Sequence, residues 1–212
     1  MTIFNPPDLE ELIAKRYVTR RKHPEADLWI LNYTPKTQYE RLWTPTTMQC
    51  RGLILDRWGD IVSRPFQKFF NLGEHTGALP EESFEVYDKV DGSLCISYFL
   101  DGIPRLATRG SFDSVQAMKA NKLLQRYHYR SLDPRLTYLF ELVSPENRII
   151  VDYGDEEKLV LLAAINTNLG VEYTAAEAVT RASTLAGALL DFPIVEQLRY
   201  SNVEEVVAVQ QP

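Results

Sequence analysis

The chain has 212 residues, 45% apolar and 25% charged, with a formal net charge of −6. That is the composition of a globular domain with a core of its own, and its acidic balance does not suggest a strong nonspecific nucleic-acid binder. No apolar run approaches the ~18 residues of a membrane span, and Met1–Ile13 lacks the basic-then-apolar order of a signal peptide.

In chain order, residues 6–17 (PPDLEELIAKRY) predict a helix, with Asp8 as N-cap and Glu11 completing a capping box. Residues 15–22 (KRYVTRRK) carry five positive charges and no negative one. They read as a solvated helix end and loop, with a phosphate-contacting patch as the alternative. From about Leu28 the pattern turns to strands. RGLILD and DIVSRPF flank a hairpin turn at Gly59, and SLCISYFL and IPRLATRG flank another at Asp101-Gly102. Pro104 after that turn points to an edge strand.

SFDSVQAMKANKLLQRYHYR switches to helical spacing through Val115, Met118, Leu123 or Leu124, and Tyr127, capped by Asp113 or Ser114. LTYLFELV, RIIVDY and KLVLLAAI predict three further strands. YTAAEAVTRASTLAGALL predicts a helix with a Thr174–Glu177 capping box, and SNVEEVVAV repeats the device with Ser201 and Glu204. Strands and helices come in blocks, so the expected class is α+β, with antiparallel sheets and flanking helices. Neither GxGxxG nor GxxxxGK[ST] occurs, so a bound nucleotide would be held by side chains. Cys50 and Cys95 lack metal spacing and fit reduced thiols in the cytoplasm. No HExxH, CxxC or GxSxG is present, and His23, His75 and His128 are scattered.

The most informative segment is residues 84–99, FEVYDKVDGSLCISYF. Asp88-Lys89-Val90-Asp91-Gly92 interrupts strand-like alternation, and Lys89 stands just before a strand. A neutral lysine amine is a nucleophile toward phosphoryl groups. Freeing its lone pair at pH 7 costs about 4 to 5 kcal/mol, so the site should gather cations or exclude water. Arg51, Arg64, Lys68 and Arg109 are the available cations, and Phe69-Phe70 is an adjacent aromatic pair. Glu141, inside an apolar strand, needs a partner: a ribose hydroxyl, a hydrated metal, or simply Arg148 farther along the chain.

CRGLILD, SRPFQKFFNLGE, DKVDGSLCISYFLDG, RGSFDSVQAMKAN and FELVSPENRIIVDYG together resemble the covalent nucleotidyltransferases, the polynucleotide ligases and RNA capping enzymes. Within that superfamily the chain resembles the RNA ligase 1 type, phage enzymes that reseal broken tRNA. The resemblance implies that residues 1–212 form an ATP-grasp-like nucleotidyltransferase (adenylylation) domain, and that Lys89 is catalytic, taking AMP from ATP. It also implies that Arg51, Lys68, Phe70, Arg109 and Glu141 bind the nucleotide. Lys68 would engage phosphates, Phe70 would pack against adenine, and Glu141 would hold the ribose or a metal-bound water. Arg109 stands where that family usually carries a lysine. Asp91 and Gly92 would shape the loop. ATP, a divalent cation (Mg or Mn) and RNA ends are the implied partners, with no stable protein partner and no assigned metal ligands.

Two later elements of the superfamily, a Glu-Gly-Phe/Tyr-Val-like strand and a Lys-x-Lys strand, do not occur in the 212 residues, nor does the RNA-specificity domain. The expectation is therefore an adenylylation domain incomplete at its C-terminus. The alternatives are a non-catalytic nucleotide- or RNA-binding remnant, and a capping enzyme or DNA ligase relative.

Overall fold

In a computed structural model of the chain, residues 2–74, 82–147, 150–186 and 190–209 are described. Leu9–Ala14 forms α1, Val18–Lys22 β1, Leu28–Tyr33 β2, Pro35–Tyr39 α2, Pro45–Gln49 α3, Arg51–Asp56 β3 and Ile61–Ser63 β4. The four strands make an antiparallel meander in chain order. The Gly59 hairpin is where the sequence puts it, with that glycine at φ +83°. The α1 capping box does not form. Asp8 makes no cap hydrogen bond; its carboxylate accepts from the Thr46 hydroxyl at 2.6 Å and ties α1 to α3. Residues 18–22 are an edge strand, not a loop, with Val18 buried and four exposed residues after it. Cations on an edge oppose pairing with another chain.

Val86–Tyr87 (β5) leads into a second antiparallel sheet. Its strands are Ser93–Leu100 (β6), Ile103–Thr108 (β7), Leu136–Val143 (β8), Lys158–Asn166 (β9) and Glu172–Thr174 (β10), ordered β10-β9-β8-β6-β7. Gln197–Leu198 (β11) returns to pair with β5. Asp101 and Gly102 turn the β6–β7 hairpin at φ 51° and 75°, and Pro104 lies on an edge strand as expected. The predicted strand RIIVDY does not form over its described part, Ile150–Tyr153; Arg148 and Ile149 lie outside the described residues. The Ile150 and Val151 amides donate to Asp91 instead of to a ladder.

Val115–Leu124 (α4) is capped by Ser114, whose hydroxyl accepts from the Ala117 amide. Its expected apolar stripe is displaced: Val115 and Met118 are exposed, and Ala117, Ala120, Leu123 and Leu124 are buried. Small residues let the helix lie close to β7, a cue that counting large side chains misses. Ala175–Ala186 (α5) starts with the predicted box. The Thr174 amide donates to Glu177, and the Glu177 amide donates to the Thr174 hydroxyl. Before Val203–Val209 (α6) the cap is Asn202, which accepts from the Glu205 amide, one residue later than predicted.

The layers run helix, sheet, sheet, helix. Leu9 and Leu12 of α1 pack with Leu31, Leu53 and Leu55 on the outer face of the first sheet. Ile30, Ile54, Tyr98 and Ala107 pack between the sheets. Tyr138, Phe140 and Leu142 meet α4 and α5 on the far side. Polar stitches cross the seam: Ser63 Oγ donates to the Ser97 carbonyl at 2.7 Å, and the Arg64 amide donates to Thr137 Oγ1 at 2.8 Å. The class is α+β, as the block pattern indicates. Cys50 and Cys95 are buried free thiols, and burial pushes the Cys50 pKa up to about 12 and raises that of Cys95 as well.

Candidate active site

Strand alternation and one bulge assemble the site. On β8, Leu136, Tyr138, Phe140 and Leu142 point toward the helices, so Leu139 and Glu141 point toward the first sheet. On β3, alternation alone would put Arg51 on the α1 side with Leu53 and Leu55. The register prevents this: Leu31 faces Leu53, but Asn32 faces Arg51. Gly52 is the unpaired residue of a bulge, at φ +97°. The bulge moves Arg51 to the inter-sheet face. A Cβ at Gly52 would lie 2.3 Å from Ile96 Cδ1 and 3.2 Å from Arg109 Cα. Glycine therefore also permits the approach that brings the Arg51 and Arg109 segments together.

Between the sheets opens a cleft of about 1000 Å³, lined by Lys89, Arg51, Arg109 and Glu141 among others. Lys89 sits on the loop between β5 and β6, and each end of that loop is pinned. The Asp88 amide donates to the Glu196 carbonyl at 2.9 Å. Asp91, 7% exposed, accepts the Ile150 and Val151 amides at 2.6 and 2.9 Å. The Asp91 amide donates to the Tyr153 hydroxyl at 3.0 Å. Gly92 has no room for a side chain, since its Cβ would stand 2.2 Å from the Leu142 carbonyl oxygen. The acidic and glycine residues of DKVDG thus shape the loop, and Lys89 is left exposed to the cleft.

Burial pushes the Glu141 pKa up to about 7, against the opposing pull of Lys89 and Arg51; Asp91 raises it further, and the Gly92 amide lowers it. Burial also lowers the Arg51 pKa, reinforced by Arg109 and offset by Tyr33 and Glu141. Arg51 Nη1 is buried without a hydrogen-bond partner. A buried guanidinium nitrogen left unpaired is costly, and an anion would satisfy it. Arg109 Nη1 donates to the Tyr33 hydroxyl at 3.1 Å.

Of the expected nucleotide ligands, Lys68 and Phe70 are not among the cleft-lining residues. The Lys68 ammonium lies 4.2 Å from the centre of the Phe70 ring and 5.3 Å from that of Trp43. Trp43 in turn contacts Tyr33 and Phe70 edge-on. These groups back the cleft wall through Tyr33. The aromatic side chains that line the cleft are Phe66, Phe69 and Tyr87, and the Arg51 guanidinium carbon stands 4.7 Å from the Phe69 ring centre. Sequence reasoning missed Tyr33 and Phe66. The signal for Tyr33 was a phenol ending a mostly apolar strand, LWILNY, whose hydroxyl needs a polar neighbour when buried.

The sequence model of a family described as RNA ligase matches residues 49–211. The chain belongs to the RNA ligase family. Among its relatives, RNA ligase 1 of Bacteriophage TS2126 is 29% identical, over 94% of this chain and 52% of its own length. A protein assigned as a bifunctional polynucleotide kinase/RNA ligase in Autographa californica nuclear polyhedrosis virus is 32% identical, over 76% of this chain and 27% of its own length. A solved structure assigned as an ATP-dependent DNA ligase from Aquifex aeolicus superposes with a TM-score of 0.60 at 18% identity, covering 96% of this chain and 55% of that one. This RNA ligase family member therefore shares its fold with that structure, and the chain spans between about a quarter and about half of the length of these relatives.

Proposed function

We propose that residues 1–212 form the adenylylation domain of an ATP-dependent RNA ligase, with Lys89 as the nucleophile. The observation that carries this reading is the convergence of Lys89, Arg51, Arg109 and Glu141, from separate elements, on one cleft. Lys89 Nζ attacks the α-phosphorus of ATP. A P–N bond forms, the bond from that phosphorus to the bridging oxygen breaks, pyrophosphate departs, and the amine sheds a proton. AMP then passes to an RNA 5′-phosphate, and attack by a 3′-hydroxyl seals the strand and releases AMP. RNA ends are the substrate class, with cleaved tRNA the instance the resemblance implies.

The unpaired Arg51 Nη1 takes a phosphate oxygen, and Arg109, steadied by Tyr33, takes another. Phe66 and Phe69 offer apolar faces for the base. Lys68 and Phe70 act from behind the wall, holding Trp43 and Tyr33. Glu141, with a pKa near 7, is suited to a ribose hydroxyl or to the hydration shell of a divalent cation. Among the described residues no group of three or more His, Cys, Asp or Glu side chains is placed to hold a metal. Magnesium or manganese bound with ATP would supply charge neutralisation at the phosphates, with Glu141 a cleft carboxylate able to reach its hydration shell. No described helix is long and apolar enough to cross a membrane, and the free thiols suit the cytoplasm.

Intact-mass spectrometry after incubation with ATP and magnesium tests the reading. The expected result is a gain of one AMP, labile in acid and abolished in Lys89→Ala. A thermal shift with ATP but no mass gain would leave a nucleotide-binding domain without the chemistry.

A further inference from the structure

The cations of residues 15–22 do not line the cleft; two of them, Arg20 and Lys22, join Arg57 around a second concavity on the first sheet's outer surface. A groove of about 420 Å³ lies between the Phe4–Leu9 side of the chain and the β3–β4 turn, lined by Trp29, Trp58, Arg20 and Arg57. Arg20 stands opposite Leu31 and Lys22 opposite Trp29, so strand alternation puts them on this face, away from the cleft. Trp58, at the hairpin tip, is 72% exposed. The Arg57 guanidinium carbon lies 5.1 Å from its ring centre, and the Lys22 ammonium 5.5 Å from that of Trp29. Asp56 fixes the tip by accepting the Trp58 and Asp60 amides, both at 2.9 Å. Of the acids present, Asp56 is engaged by those two amides, and Glu10 and Asp27 pair with Arg20, Lys22 and Arg57 at 2.6 to 3.0 Å. Such exposed pairs contribute little and exchange readily for phosphate.

We infer that this groove binds single-stranded RNA: Trp58 and Trp29 stack unpaired bases, and Arg20, Lys22 and Arg57 take the flanking phosphates. Aromatic faces interleaved with cations suit a single strand, because every base offers a π-face and every linkage a charge. A duplex hides those faces. The choice of RNA rests on the ligase reading, but the site itself does not use the cleft.

The test is a titration of the full chain with a 5′-hydroxyl, 3′-blocked RNA strand of about 12 nucleotides, which ligation chemistry cannot use. Fluorescence anisotropy across a salt series reads affinity. Wild type and Lys89→Ala should bind alike. Trp58→Ala should weaken binding about tenfold, while Trp58→Phe keeps most of it. Arg57→Ala should lower the salt slope by about one. Trp58 is exposed, so both tryptophan variants should melt with wild type and keep any lysyl-AMP formation. Wild-type affinity in Trp58→Ala, or equal affinity for a duplex of the same length, overturns the site. Loss of binding in Lys89→Ala with none in Trp58→Ala would place the RNA in the cleft and overturn it too. Trp58-dependent binding in a protein that forms no AMP adduct would sink the ligase reading and leave this one standing.

Discussion

The two sheets deliver their site residues by different means. The five-stranded sheet places Glu141 by plain alternation on β8, and it abuts the Lys89 loop through the tight contact of Gly92 with Leu142. The four-stranded sheet places Arg51 against alternation, through the bulge at Gly52. A regular strand tells which way a side chain points from its neighbours alone. A bulge changes that direction by one residue, and the one local hint of it in RGLILD is Gly52, a glycine inside a strand run. The same holds on β9, where Leu139 faces Ala163 and Phe140 faces Leu161. Leu162 is the extra residue there, and it shares the cleft lining with Ala163.

The largest expected effect breaks the regular side. In Gly92→Ala the new Cβ meets a backbone carbonyl at 2.2 Å. A carbonyl in a ladder cannot swing away as a side-chain tip can. A loss of about 3 kcal/mol or more in stability, read by chemical denaturation, is expected, together with loss of any AMP adduct. Gly52→Ala attacks the bulge. Its Cβ would lie 2.3 Å from Ile96 Cδ1, a tip with some freedom, but at φ +97°. A loss of about 2 to 3 kcal/mol follows from strain and crowding together. If Gly52→Ala were neutral, the bulge would not be what sets Arg51.

Glu141 sharpens the contrast through pH. Its pKa rises from an ordinary 4.5 to about 7 on folding, so between those values the folded state holds a proton that the unfolded state has released. Stability from this group is full below pH 4.5 and falls as pH rises toward 7. Allowing for its partial exposure, the loss is about 2 kcal/mol. Glu141→Gln should flatten that slope and melt higher than wild type at pH 8. A slope unchanged in Glu141→Gln would show that the carboxyl titrates as it does in water.

How much of this was legible follows the same division. The hairpins at Gly59 and Asp101-Gly102 and the Thr174–Glu177 cap were readable, because each is fixed by a few adjacent residues. The α+β class followed from their block order. Lys89 was legible as a lysine breaking strand alternation, Arg51 and Arg109 as available cations and Glu141 as a carboxylate in an apolar strand; only the resemblance joined them, and the bulge explains why periodicity could not have placed Arg51. The resemblance assigns Lys68 and Phe70 to the nucleotide, and KFF alone does not tell which ring turns inward; in the structure both residues contact Trp43, distant in sequence. Ile150–Tyr153 reads as a strand, yet its first two amides are claimed by one carboxylate from far upstream. Asp8 failed as a cap for the like reason, since Thr46 is a partner that sequence distance hides.

The smallest predicted effect falls where the two sheets meet. Tyr33, on the first sheet, accepts from Arg109, which follows the last residue of β7 in the second, and it also steadies Arg51. Tyr33→Phe removes the hydroxyl and keeps the ring, so Trp43 retains its edge-on neighbour. The stability loss should be only about 1 kcal/mol, as for one hydrogen bond whose charged partner, Arg109, is exposed to solvent. The effect on ligand should be out of proportion to that. With the hydroxyl gone, neither arginine is held toward the cleft, and the thermal shift produced by ATP should shrink more than the shift produced by adenosine, which has no phosphate to lose contact with. Equal shrinkage for both ligands would mean that Tyr33 serves the base or ribose, and that the two arginines are positioned by their own strands.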